Sequence, residues 1–189
     1  MRAEDLIFND PEQPAGHMRL IGSDPEFLER LNSADDWSAV ILAWALIEAS
    51  LTEAICTKLM DDSIREVIRE MPLNGKACKV KMAAKLGLIS ASEEKFITTF
   101  SYVRNRFAHG LHWFGSSLDA FMAQETDRKR FESALIFAEG TLGGQTVSFD
   151  SHPRVLTIAN ALFLCFNAVG IASYDEDSEA QSRYEAMMD

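Results

Sequence analysis

The 189-residue chain is poor in the features that organise disulfide-rich, nucleic-acid-binding or membrane proteins. Its three cysteines, Cys56, Cys78 and Cys165, lie far apart with no CxxC pair. They indicate neither a disulfide framework nor a cysteine zinc site, and they fit a reducing cytoplasm. Basic charge is scarce: 18 Lys and Arg against 29 Asp and Glu leave a formal net charge of −11. That balance argues against a duplex-DNA binder, because Lys and Arg contacts to phosphate dominate such affinity. The longest apolar run, Ala39 to Ile47, is closed by Glu48 and has about half the length needed to cross a bilayer. The acidic N-terminus has no export-signal pattern. A soluble, cytoplasmic protein without a membrane partner is therefore expected. Strand-like alternation is nearly missing and nothing repeats. No P-loop, GxSxG, HExxH or dinucleotide fingerprint occurs, and no metal-ligand cluster or cofactor is expected.

Helical periodicity fills the chain instead. With 47% hydrophobic residues, its length suffices for one sizeable core, and an all-α single-domain bundle is predicted. Residues 1 to 24, with Pro11, Pro14, Gly16 and Gly22, read as an extended or partly ordered arm. The helical domain is expected over 25 to 174, followed by an acidic tail or last polar helix over 175 to 189. Asp24 and Pro25 open a short helix through Leu31. Ser33 or one of the next two aspartates then caps a central helix over about 35 to 60. That helix repeats apolar residues at Trp37, Val40, Ile41, Trp44, Ile47, Leu51, Ile55 and Leu59, the helical spacing of three and four.

Further on, Ile64, Val67, Ile68 and Met71 share one face of a segment that Pro72 ends. Gly87 caps the helix ending at Lys85, and Ser90 or Ser92 starts the next. In that next helix Phe96, Phe100, Val103 and Phe107 form one apolar stripe, which Gly110 stops. RKRFESALIFAEGTL reads as helix through Leu142. GGQTVSFDSHP is a break with room for a short extended piece, and Pro153 opens a last apolar helix.

The candidate chemistry lies in RNRFAHG, Arg104 to Gly110. Asn105 and His109, four apart, share an outward face, whereas Arg104 is about 140° round an ideal helix from His109. All three converge only if the last turn unwinds at Gly110. Histidine can act as general base or acid, and guanidinium can stabilise a pentacovalent phosphate while Asn105 orients either group. Cleavage of RNA through its own 2′-hydroxyl needs no metal. A structural role is equally physical: His109 caps the helix, and Arg104 or Arg106 pairs with a carboxylate. Glu48, a carboxylate in an apolar stretch, requires a partner, and Arg104 is the expected one. Lys76, Lys79, Lys81, Lys85, Lys95, Arg104 and Arg106 face only Glu93 and Glu94 in the same span. The first four lysines and Arg106 are therefore candidates to bind anions or RNA. Trp113 and Phe114 read as packing or contact residues, and His17, His112 and His152 have no comparable setting.

Two segments, ERLNSADDWSAVILAWALIEASLTEAI and KVKMAAKLGLISASEEKFITTFSYVRNRFAHG, resemble the MtlR-like family, the mannitol-operon-repressor-type regulators. The likeness covers about residues 25 to 115: the LIE segment, the LGLIS turn and the RNxFAH end stand in the family's order. It implies a regulator of transcription that works through protein contacts without a helix-turn-helix. The RNxxxH pattern also resembles the signature of the wider HEPN superfamily of all-helical dimers, many of them metal-independent ribonucleases used as toxins or antiphage effectors. That likeness implies a homodimer with Arg104, Asn105 and His109 facing their copies.

Overall fold

The computed structural model describes residues 2–3, 13–21, 23–24, 26–110, 113–124, 128–136, 141–142, 145–149 and 152–188. They form an all-α bundle: α1 (Gln13–Leu20), α2 (Glu26–Ser33), α3 (Asp36–Leu59), α4 (Arg65–Glu70), α5 (Lys79–Lys85), α6 (Ala91–His109), α7 (Leu118–Gln124), α8 (Arg128–Leu135) and α9 (Pro153–Met188). A 3-10 turn, Asp62–Ile64, leads into α4. The central helix is α3, which packs against α2, α4, α5, α6 and α9. Its N-cap is Asp35, whose carboxylate accepts from the Ser38 N–H and hydroxyl. Those bonds, the backbone one foremost, hold the carboxyl below its ordinary value.

Both α3 and the Pro153–Tyr174 part of α9 are long and apolar enough to cross a membrane, yet the two pack on each other within the core. Val40, Ala43, Ile47, Leu51 and Ile55 of α3 are buried with Leu156, Leu162, Cys165 and Val169 of α9. Each large aliphatic side chain enclosed in this way stabilises the fold by about 1.5–3 kcal/mol. Arg154 fixes the start of α9. It donates through Nη2 to the carbonyls of Leu31, Asn32 and Ala34 at the end of α2, and its Nε lies 3.3 Å from Asp36 Oδ1. The other oxygen of Asp36 accepts from the Leu118 N–H at the start of α7.

The predicted arm is not wholly extended. Residues 13 to 20 form α1, with Met18 inaccessible to solvent and Ile21 buried just beyond. Pro14 is tolerated because it lies in the first turn, where its missing N–H has no helical acceptor. The predicted face of α4 breaks at Val67, which is 61% exposed; a six-residue helix buries only Ile68 against its neighbours. Helix α8 stops at Leu135, short of the expected Leu142. That leucine instead belongs to a two-residue antiparallel ladder in which Thr141 pairs with Thr146 and Leu142 with Gln145. The β-branched threonines there favour extended backbone once the helix formers end. The tail continues α9 as helix to Met188.

Candidate functional site

Helix α6 carries the motif, and its two ends are built differently. Ser90 is the N-cap. Its hydroxyl accepts from the Glu93 N–H, while the Glu93 carboxylate accepts from the Ser90 N–H at 2.6 Å, a reciprocal capping box. Glu93 is itself buried, and its second oxygen accepts from Asn167 Nδ2 of α9 at 3.2 Å. The expected stripe of Phe96, Phe100, Val103 and Phe107 is fully enclosed. Phe107 stacks on the buried Trp113 and leans on Phe121 of α7.

At the C-terminal end Gly110 stops the helix as expected, but the last turn does not unwind. Gly110 has φ −95 and ψ 93, outside the left-handed region, and its N–H bonds to Arg106 O. Helix α6 therefore stays regular through His109, and Arg104 and His109 point to different sides of it within one chain. By contrast Gly87, the cap predicted for α5, does take φ +74, the left-handed position that glycine occupies without a Cβ clash.

Each motif residue has a distinct setting. Arg104 is half-buried; its guanidinium carbon lies 5.7 Å from the centre of the Trp44 ring, a cation–π arrangement that covers an aromatic edge of α3. Its Nη1 donates to Asn105 Oδ1 at 2.9 Å. Its Nε is buried with no hydrogen-bond partner among the described residues. Asn105, Arg106 and His109 are exposed. The structure thus joins Arg104 to Asn105 and leaves His109 on the outward face one turn beyond Asn105. Sequence reading missed Trp44 as the ring beneath Arg104; the available signal was an aromatic in the one uncharged stretch of α3.

The expected Glu48–Arg104 pair does not form. Glu48 Oε1 instead accepts from Lys79 Nζ at 3.0 Å. The Lys79 side chain is 2% exposed and also donates to Arg69 O at 3.2 Å. The physical reason is need: an ammonium enclosed at the start of α5 requires a counter-charge, whereas Arg104 keeps company with Trp44 and Asn105. Lys79 therefore leaves the proposed anion-binding set. Lys76, Lys81, Lys85 and Arg106 are exposed. Lys81 and Lys85 lie one turn apart on α5, while Arg106 belongs to α6.

The cysteines offer no nucleophile. All three are buried and none forms a disulfide, and burial pushes the Cys165 thiol up to about 12. Phe114 is not packed away like Trp113. It is 73% exposed, its ring centroid 5.5 Å from that of Trp37 in an edge-to-face arrangement, and the Trp37 indole N–H donates to Phe107 O. His17 and His112 fall outside the residues whose side chains are described, and His152 is exposed. Among the described residues no group of His, Cys, Asp and Glu is arranged to hold a metal ion. No family model, curated protein or solved structure matches the chain.

Proposed function

We propose that this chain is a non-DNA-binding regulatory protein of the MtlR-like kind, which works in the cytoplasm as a homodimer through contacts with another protein. One observation carries the reading: α3 is buried along most of its length yet leaves apolar residues open. Ala45 and Ala49 are exposed one turn apart, beside the half-buried Ile41, Leu42 and Trp44. Apolar surface on the central helix of a bundle is the kind of surface that protein partners cover. The groups with chemical potential are held apart in a single chain, Arg104 on Trp44 and His109 beyond it. The acidic net charge favours the same reading.

A metal-independent endoribonuclease of the HEPN kind, serving as toxin or antiphage effector, is the second reading. The bond from Arg104 to Asn105 and the shared outward face of Asn105 and His109 favour it. In that case apposed copies of α6 supply the missing convergence. His109 then removes the 2′-hydroxyl proton while Arg104 stabilises the charge developing on phosphorus. Cleavage of a mixed cellular RNA pool in EDTA, by wild type beside His109→Ala of equal helicity, separates the two. The regulator reading expects no cleavage by either protein and partner binding that survives the substitution. Wild-type cleavage leaving 2′,3′-cyclic phosphate ends, lost in His109→Ala, overturns it in favour of the ribonuclease.

A further inference from the structure

A cleft of about 590 Å³ lies between α6 and α8, away from Trp44 and the Arg104 guanidinium. Its volume falls in the range that holds small organic ligands. Successive turns of α6 contribute Glu94, Lys95, Thr99 and Tyr102, and α8 contributes Phe131 and the small, buried Ala134. One wall is aromatic: the Tyr102 and Phe131 rings lie 5.3 Å apart, with Tyr102 42% exposed. The Glu94 carboxylate and the Thr99 hydroxyl have no hydrogen-bond partner among the described residues, and Lys95 Nζ makes only a long contact, 3.5 Å, to Ser133 Oγ there.

We infer that this cleft binds a free aromatic amino acid as its zwitterion. Three elements of the lining match three parts of such a molecule. The carboxylate of Glu94 accepts from the ligand ammonium, Lys95 donates to the ligand carboxylate, and the Tyr102–Phe131 wall covers the ring. An opposite-charge pair on adjacent residues cancels for a singly charged ligand and is complementary to a zwitterion. The aromatic wall adds the offset ring contacts that favour an aryl over an alkyl side chain. The site shares no residue with the RNRFAHG motif or with the exposed α3 surface.

The test is calorimetric titration of the full chain with L-tryptophan, with tryptamine, which lacks the carboxylate, and with indole-3-propionate, which lacks the ammonium. Saturable one-to-one binding of L-tryptophan is expected, with each analogue weaker by about tenfold, the worth of one charge-assisted hydrogen bond. Glu94→Gln should weaken L-tryptophan by about tenfold and leave indole-3-propionate unchanged. Phe131→Leu, with helicity verified by circular dichroism, should weaken all three. Absence of saturable heat with L-tryptophan up to its solubility limit overturns the inference. So does equal binding of the three probes, or an unchanged affinity in Glu94→Gln.

Discussion

The two ends of α6 treat their polar residues in opposite ways. At the start, Ser90 and Glu93 are consumed by the fold: the capping box closes on itself, and the buried carboxylate reaches across to Asn167 of α9. At the finish, Asn105, Arg106 and His109 face outward, and only Arg104 is drawn in, onto Trp44. Polar residues that a fold spends are expensive to lose. Those it leaves outside are cheap to lose, and they are available for other molecules.

That contrast can be broken by substitution. The largest effect is expected for Glu93→Ala, which strips the acceptor from Ser90 N–H, Ser90 Oγ and Asn167 together. Urea unfolding should show a loss of about 2–4 kcal/mol. Next comes the pair sequence reading misassigned. Glu48→Ala should cost about 2 kcal/mol, because it leaves the enclosed Lys79 ammonium with a single carbonyl acceptor. Lys79→Met removes the charge with the pair and should cost less than about 1 kcal/mol. If the order of those two is reversed in the denaturation midpoints, the need for a counter-charge at Lys79 is not what draws Glu48 in.

Asp35→Ala should cost about 1 kcal/mol at neutral pH by uncapping α3. The folded carboxyl lies below its ordinary value of 3.8. Its contribution is therefore fully present above that value and is lost as pH falls through the lower folded one. Wild type and variant should converge in stability in that acid range, as thermal melts across it would show. The smallest effects belong to Asn105→Ala and His109→Ala, each within about 0.5 kcal/mol of wild type. A larger loss in either would place these residues with Glu93, among those the fold consumes.

Much of the framework was legible because it rests on local rules. The spacing of Val40, Ile47, Leu51 and Ile55 locates α3, the Phe96 to Phe107 stripe locates α6, and Ser90, Gly87 and Pro153 mark helix ends by capping chemistry. What was not legible depends on which helices meet. Nothing local tells that Lys79 rather than Arg104 reaches Glu48, since the answer lies in the packing of α5 on α3. Gly110 shows the limit of a capping rule: a glycine permits left-handed backbone without requiring it. The site was half legible. Asn105 and His109 share a face by spacing alone, but the placement of Arg104 on Trp44 required the fold.

The long partnership of α3 with α9 also bears on how the chain is made. Arg154 and the Ala34 carbonyl it holds are 120 residues apart in sequence. A ribosome adding about 5–20 residues per second delivers the second well after the first, an interval on the order of ten seconds. Throughout that interval Val40, Ile47 and Leu51 await the helix that will cover them, so the nascent chain presents a long apolar helix before its lid exists. A chain ending before Pro153 should therefore be captured by chaperones or aggregate, however well its individual helices form.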